Sequence, residues 1–291
     1  MKEIEVLEND AGQRLDKFLM KTFPDLSKSM MYKGIRKKKI KVNRKRCTYD
    51  QMLQPHDHIL LFLPPDVLKE KEREVPSAST QLDIVFEDQN LLIINKPAGL
   101  LSQSDQKEKQ DCVVSRVQAY LYQKGEYTMA DHSFAPTICH RLDRNTAGLI
   151  IAAKNANTLR IINQAIAERA IKKQYRALVS GTFLLDSFQM HGYLKKEGTK
   201  AIVKDKPTPG FAEAYMDVKT ISKKKDATWC DILLHTGRFH QIRAMMGHFH
   251  HPLVGDHKYG YEGSEKQYSL IAYRLDLRNV PMEISQRIFE I

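Results

Sequence analysis

Apolar residues in the first 65 positions recur first at helical spacing and then at strand spacing. The first predicted helix is marked by four apolar residues three or four positions apart: Leu15, Phe18, Leu19 and Phe23. A second helix is predicted over residues 30–35, with Ser27 or Ser29 as its N-terminal cap. Charged and apolar residues then alternate over 39–43, and residues 59–63 are all apolar, which predicts two strands. This segment is therefore expected to form a small α+β module.

From residue 82 onward, short apolar runs predict a second and larger α+β region. Strands are predicted at 82–86, 91–94, 150–153, 173–181 and 270–275 and before Thr236, and helices at 113–122, at 157–170 and from Arg238. Residues 66–80 are rich in Lys, Glu, Pro and Ser without an apolar period, which is typical of a linker. The predicted organisation is α+β throughout, with a small domain at 1–65, a linker at 66–80 and a large domain at 81–291.

Positive charge is concentrated in the small domain. The chain has a formal net charge of +11, and the first 64 of its 291 residues carry 14 Lys and Arg against 8 Asp and Glu. Between Lys28 and Arg46 there are ten basic residues and no acidic one. Such a run predicts salt-dependent contact with RNA or DNA phosphates, although a basic face in contact only with solvent is the alternative. The candidate RNA-binding residues are Lys37, Lys38, Lys39, Lys41, Arg44, Lys45 and Arg46.

Other features exclude several classes of protein. No apolar run approaches 18 residues, and the first five residues are mixed and acidic, so we expect neither a membrane span nor a signal peptide. The four cysteines lie far apart, which favours reduced thiols in a cytoplasmic protein. Six histidines between 235 and 257 suggest zinc, but without a His-Glu-x-x-His arrangement or a cysteine pair we expect no metal.

The segment from His140 to Lys154 contains the strongest candidate for chemistry. Asp143 lies between Arg141 and Arg144, and a turn and the apolar run at 150–153 follow it. Nearby guanidinium groups favour the charged form of a carboxyl group, and a loop beside a buried strand can hold it in place. Such a carboxylate can act as a base, a nucleophile or a metal ligand, and a structural ion pair is the alternative.

Four segments, in order along the chain, resemble the RluA-type pseudouridine synthases. They are Asn95-Lys96-Pro97-Ala98-Gly99, His140-Arg141-Leu142-Asp143-x-x-Thr146-x-Gly148-Leu149, Lys173-Gln174-Tyr175, and Thr236-Gly237-Arg238-Phe239-His240-Gln241-Ile242-Arg243. Two positions depart from the family pattern: Ala147 replaces a serine, and Phe239 replaces a threonine or serine. The basic module resembles the S-four-type RNA-binding domain, named for a ribosomal protein, with Lys39 where that domain usually has glycine.

The resemblance implies a fold, a reaction and a set of site residues. The fold would be that of the pseudouridine synthases, a large, mixed but mainly antiparallel bent sheet flanked by helices. The reaction would be the isomerisation of uridine to pseudouridine in RNA without a cofactor. The family's commonest substrate is large-subunit ribosomal RNA, and some members act on transfer RNA. We take a monomer as the default state.

The resemblance also assigns roles to residues of the large domain. Asp143 would be the catalytic carboxylate, Tyr175 the active-site aromatic residue, and Leu270 a residue that packs under the target base. We hypothesise that Arg141 fills the space of a flipped-out uridine and that Arg243 pairs with Asp143. Arg238 is the competing partner for Asp143, and His140 and His240 complete the candidate RNA contacts. The rival functions are a non-catalytic RNA-binding protein and, from the histidines alone, a metal-dependent hydrolase.

Overall fold

The computed structural model describes residues 1–70, 74–105 and 111–291. By its internal contacts the chain divides into two compact units: Met1–Gln81 with Val114–Thr137 and Ala153–Arg160, and Leu82–Val113 with Ile138–Ala152 and Ile161–Ile291. Residues 71–73 of the predicted linker lie outside the described residues. Val67 and Leu68, in a 3-10 helix at Pro65–Leu68, are buried in the core of the first unit. The domain boundaries at 65 and 81 stay a prediction.

The first unit contains a four-stranded antiparallel sheet and two short helices near its N-terminus. Its elements are β1 (Lys2–Glu5), α1 (Leu15–Thr22), α2 (Lys28–Arg36), β2 (Ile40–Val42), β3 (Lys45–Arg46) and β4 (His58–Leu61), with a 3-10 helix at Glu8–Asp10. The strand order is β1-β4-β2-β3. Both predicted helices are present, and Ser27 rather than Ser29 caps α2, because its Oγ accepts the Met30 N–H at 3.2 Å. Strand β1 escaped prediction because three of its four residues are charged.

The remaining elements follow in chain order. They are β5 (Ile84–Glu87), β6 (Leu91–Lys96), α3 (Val113–Gln123), β7 (Thr137–Ile138), β8 (Ala147–Ala153), α4 (Ala156–Ala167), β9 (Lys172–Ser180), β10 (Ser187–Glu197), β11 (Lys200–Lys204), β12 (Ala212–Lys223), β13 (Ala227–Leu234), α5 (Gln241–His248), β14 (Leu270–Asp276) and β15 (Ile288–Glu290), with a 3-10 helix at His257–Tyr259. No helix within the described ranges has the length and hydrophobicity that are needed to cross a bilayer.

An eleven-stranded sheet forms the second unit's framework. Nine strands follow the order β11-β10-β12-β13-β9-β14-β8-β6-β5, while β15 pairs with β14 and β7 with β8. Strands β8 and β14 pair in parallel, whereas β14 with β9, β9 with β13 and the pairs from β13 to β11 are antiparallel. The predicted mixed, mainly antiparallel sheet is therefore confirmed.

The centre of this sheet brings distant segments together. Ala272 of β14 pairs with Gly148 of β8 on one side and with Tyr175 of β9 on the other. Gly148 has a φ of +113°, and a Cβ atom there would lie 2.3 Å from the Ala272 carbonyl oxygen. Only glycine permits this close approach without displacing backbone. The approach brings the loop before β8, which carries Asp143, beside the strand of Tyr175.

Candidate active site

A cleft of about 460 Å³ in the second unit collects the candidate residues of the large domain. The eight that line it are His140, Arg141, Asp143, Tyr175, Arg238, His240, Arg243 and Leu270. They come from the β7–β8 connection, from β9, from the turn before α5 and α5 itself, and from β14. The fold thus concentrates in one concave site residues that are widely separated in the sequence.

Asp143 is the carboxylate at the centre of this site. Its side chain is 27% exposed, and its Oδ2 lies 3.2 Å from Arg243 Nη1 and 3.6 Å from His240 Nε2. The two neighbouring arginines do not make these contacts: Arg141 is exposed, and Arg144 donates from Nε to the Gly99 carbonyl at 2.9 Å. The acid is therefore held by an arginine a hundred positions away in the sequence.

Arg243 is fixed on several sides. Asp256, which is 2% exposed, accepts from its Nε at 2.6 Å and from its Nη2 at 3.0 Å. The guanidinium carbon also lies 4.4 Å from the ring centroid of Tyr268 and 5.2 Å from that of Tyr259, within cation–π range. Burial disfavours the charged form, but the hydrogen bonds to Asp256 together with the charge interactions with Tyr268, Asp256 and Asp143 outweigh it and raise the pKa of Arg243. A permanent positive charge thus faces Asp143.

The predicted helix start at Arg238 is wrong by three residues. Helix α5 begins at Gln241, and His240 precedes it in the left-handed conformation with φ +52°. The Gln241 Oε1 accepts the Arg238 N–H at 3.0 Å and the Thr236 hydroxyl at 2.9 Å, which stabilises a turn in place of a first helical turn. Arg238 lies in that turn and donates from Nε to the Glu213 carbonyl at 2.9 Å. Of the two competing arginines, Arg243 is thus the one that contacts Asp143.

His240 presents an N–H group to Asp143. The hydroxyl oxygen of Tyr259 accepts the Ala201 N–H at 2.8 Å, which leaves its own proton for His240 Nδ1 at 2.7 Å. We therefore assign the imidazole proton to Nε2, the nitrogen that faces Asp143. Burial lowers the pKa of His240 to about 4 despite the opposing charge of Asp143, so the ring is neutral at pH 7.

Two side chains that the sequence did not single out hold the Asp143 loop. Lys96 is fully buried, and its Nζ donates to the carbonyls of Pro97, Leu100 and Arg144 at 2.8–2.9 Å. The Ser102 hydroxyl donates to the Leu142 carbonyl at 2.7 Å and accepts the Leu142 N–H at 3.0 Å. The residues on both sides of Asp143 are thus tied to the last residue of β6 and to the segment that follows it. Lys96 lies in the Lys-Pro-x-Gly segment, but neither the spacing nor the composition indicated Ser102.

Three other predicted residues form the inner part of the cleft. Tyr175 and Leu270 are 7% and 5% exposed, and burial, followed by the charge of Asp143, raises the pKa of the Tyr175 hydroxyl, so Tyr175 stays neutral at pH 7. His140 accepts the Ile151 N–H with its Nε2 at 3.2 Å. Burial, with the charge of Lys173 second, lowers its pKa to about 3. His140 therefore holds β8 as a neutral ring, and its contact with RNA stays a prediction.

The basic run and the histidines are arranged differently from the cleft. In the first unit, Lys37, Lys38, Lys39, Arg44, Lys45 and Arg46 are exposed and Lys41 is half-buried. Several histidines bond to carboxylates or carbonyls, as His235 does to Asp217 and His248 to Asp205, each at 2.7 Å. Within the described part of the chain, no group of three or more His, Cys, Asp and Glu could hold a metal ion.

Models of two known protein families match two different parts of the chain. The model of a family described as RNA pseudouridylate synthase matches residues 90–248, and that of the S4 domain matches residues 13–59. The ribosomal large subunit pseudouridine synthase C of Vibrio parahaemolyticus is 31% identical over 265 residues, which cover 88% of this chain and 79% of that protein. An uncharacterized RNA pseudouridine synthase of Mycoplasma capricolum is 31% identical over 284 residues, covering 94% and 91%.

Two solved structures share the fold. Human RNA Pseudouridylate Synthase Domain Containing 4 superposes with a TM-score of 0.56 at 19% identity, covering 67% of this chain and 83% of that one. Human RNA Pseudouridylate Synthase Domain Containing 1 gives 0.54 at 19% identity, covering 76% and 84%. At this level of identity the likeness concerns the fold.

Proposed function

Since this chain belongs to the RNA pseudouridylate synthase family and is an RNA pseudouridine synthase, an isomerase, we propose that it modifies large-subunit ribosomal RNA with Asp143 as its nucleophile. The observation that carries the assignment is the partly exposed Asp143 carboxylate facing a buried, permanently charged Arg243. Such a carboxylate is accessible from the cleft and is positioned to act as a nucleophile. The substrate class rests on the name of the Vibrio relative.

The reaction is balanced without any co-reactant. The bond between N1 of uracil and C1′ of the ribose breaks, the uracil turns, and C5 bonds to C1′; the C5 proton leaves to solvent and N1 takes up a proton from solvent. Because no electron or external group is transferred, the proposed enzyme needs neither a cofactor nor a metal. We further propose that it works in the cytoplasm, where ribosomal RNA and reduced thiols are found together, and that it is a monomer.

Each of several cleft residues has a separate proposed role in this reaction. Both contacts to Asp143 fall on Oδ2 among the described residues, and we propose that Oδ1 forms a transient covalent bond to the nucleotide, which breaks again before the pseudouridine is released. Arg243 and the Nε2–H group of His240 would hold the carboxylate in place. Tyr175 and Leu270 would pack against the freed uracil and keep water from it until C5 rejoins the ribose.

A target uridine reaches Asp143 only after it leaves the base stack. Extrusion costs a few kcal/mol, and RNA contacts elsewhere must offset it. We propose that exposed Arg141 occupies the vacated space and that the basic face of the S4 domain supplies phosphate contacts. The exposed rings of Tyr32, Tyr49 and Phe62 lie in the same unit as that basic face and add surfaces on which bases can stack.

The test compares RNA from cells that lack this protein with RNA from cells that express it. Carbodiimide labelling and primer extension map pseudouridine in ribosomal and transfer RNA. We expect one or a few sites in large-subunit ribosomal RNA to disappear, and wild-type protein but not Asp143→Asn to restore them. Sites lost only from transfer RNA would refute the substrate class, and restoration by Asp143→Asn would refute the nucleophile.

Asp231→Asn is a matched control. The Asp231 side chain is also 27% exposed and also pairs with an arginine, Arg176, at 2.8 Å, but it lies outside the cleft lining. We expect this variant to restore every site. A loss as large as that of Asp143→Asn would show that removal of any such ion pair, rather than of the nucleophile, abolishes activity.

A further inference from the structure

Phe239 is an exposed aromatic ring at the rim of the cleft. Its surface is 36% exposed, although Arg238 and His240 on either side of it line the cleft. Phe239 itself is outside that lining. An exposed aromatic ring beside a binding site is a surface that a ligand can cover with a gain in free energy.

The ring of Phe239 is held in a fixed plane. It stacks on the His240 imidazole with 3.8 Å between ring centroids and 19° between planes. The imidazole in turn is held by its 2.7 Å hydrogen bond to Tyr259, whose ring meets it edge-on at 85°. Phe239 therefore continues a rigid stack that begins beside Asp143.

One ammonium group lies over this ring. The Lys196 ammonium lies 4.8 Å from the Phe239 ring centroid, and its side chain is exposed. Residues 195–204 of the β10–β11 hairpin contain four lysines and one acidic residue, Glu197. An exposed ammonium group that lies over a ring can move into solvent. A flat base can then take its place on the ring, and the ammonium group can contact the phosphate of that nucleotide.

We propose that Phe239 and Lys196 form a binding subsite for a nucleotide next to the target uridine, with the base on Phe239 and its phosphate near Lys196. This inference rests on the proposed function. When a uridine is extruded, the neighbouring base loses a stacking partner. A flat ring at the rim replaces that partner whatever the base, and the phosphate that follows each base in RNA supplies a negative charge for the ammonium group beside the ring.

The first test measures turnover by tritium release from large-subunit ribosomal RNA transcribed with [5-³H]uridine. Phe239→Leu keeps an apolar side chain but removes the flat ring, and Phe239→Tyr keeps the ring. We expect Phe239→Leu to raise KM about tenfold with kcat within about twofold of wild type, while Phe239→Tyr stays close to wild type. Leu185→Ala, at a 63% exposed residue of the same unit, is the control for loss of surface apolar area.

Lys196 is tested by salt dependence. Lys196→Ala should weaken RNA binding and reduce the slope of log affinity against log salt by about one, as loss of one phosphate contact does. Lys219→Ala, at another exposed strand lysine of the same unit, should leave the slope unchanged. An unchanged slope for Lys196→Ala would overturn its place in the subsite.

A spectroscopic test separates stacking from a structural role. Once the uridine is mapped, a hairpin carrying it receives 2-aminopurine on its 5′ or 3′ side and is bound to Asp143→Asn protein. We expect 2-aminopurine fluorescence to be quenched at one of the two positions. It should rise again at that position when the protein carries Phe239→Leu in addition to Asp143→Asn. No change on either side, or a fall in kcat with KM unchanged, would overturn the subsite. A wild-type protein that releases no tritium would instead refute the proposed function.

Discussion

The buried amine of Lys96 should make the free energy of unfolding of the second unit rise with pH above about pH 8. Lys96 is fully buried and bonds to three carbonyl groups. Burial lowers its pKa to about 8 although the charge of Asp143 opposes the change. In the unfolded chain the amine keeps its ordinary value of 10.5. Between pH 8 and 10.5 the unfolded state thus binds more protons, so the contribution of Lys96 to stability rises with pH.

Lys96→Met removes both the charge and its hydrogen bonds. Three hydrogen bonds at about 1.5 kcal/mol each amount to roughly 5 kcal/mol lost. Burial of the charged amine costs about 3 kcal/mol, as its pKa, lowered from 10.5 to about 8, implies. The substitution removes this cost, which offsets part of the loss. We therefore expect the free energy of unfolding to fall by about 2 kcal/mol at pH 7.5. Between pH 7.5 and 9.5 the wild-type protein should gain about 2 kcal/mol over the variant.

Urea denaturation followed by tryptophan fluorescence measures this difference. The single tryptophan, Trp229, lies in β13 of the same unit and reports its unfolding. All other titrating groups are common to the two proteins and cancel in the comparison. A wild-type advantage that stays constant or shrinks from pH 7.5 to 9.5 would refute the reasoning.

The same substitution should affect catalysis because the Arg144 carbonyl belongs to the turn that follows Asp143. A less firmly held turn misplaces the carboxylate, and small misplacements cost up to about 100-fold in rate. We expect kcat in the tritium-release assay to fall about tenfold at pH 7.5, with KM little changed because Lys96 is too buried to contact RNA. A rise in KM at constant kcat would show that Lys96 acts on RNA binding.

Three further predictions concern other parts of the machinery. Asp256→Asn leaves its arginine partner with less negative charge in a buried site, so the free energy of unfolding should fall by about 3 kcal/mol in urea titrations and kcat should drop; wild-type stability would contradict this. Ser102→Ala loses both hydrogen bonds to Leu142, the residue before Asp143, and kcat should fall about tenfold at constant KM, whereas unchanged kcat would make Ser102 dispensable. Replacing Lys37, Lys38 and Lys39 by alanine should weaken RNA affinity and reduce its salt slope by up to about 3 in binding titrations; unchanged affinity would mean that RNA is held elsewhere.

The spacing of apolar residues was sufficient to predict those helices and strands in which it is regular or in which the apolar residues form one run. Helices α1 and α2 and strands β6, β8 and β9 lie where the spacing predicts them. The segment between 182 and 226 gave no prediction, yet it contains β10, β11 and β12. Their outward faces carry many charged and polar residues, and none of the three contains an uninterrupted apolar run as long as those of β6 and β8, so no apolar run marks them in the sequence.

The ordered segments of the sequence also identified the family, which the comparisons confirm. The same segments and the last core strand point to Asp143, Tyr175, Arg243 and Leu270, and one cleft contains all four. The roles of Asp143, Tyr175 and Leu270 were implied by the resemblance to the family, the pairing of Arg243 with Asp143 was a hypothesis, and the roles stay proposals.

Tertiary structure alone decided how the site is held together. Neither Asp256 behind Arg243 nor Ser102 beside Leu142 follows from spacing, because hydrogen bonds between segments depend on how the sheet brings them together. The choice of Arg243 over Arg238 depended on a turn at Gln241 that delays the start of α5. The sequence by itself determined which groups are available for the chemistry, whereas only the folded chain determined their partners, since those contacts join residues up to a hundred positions apart.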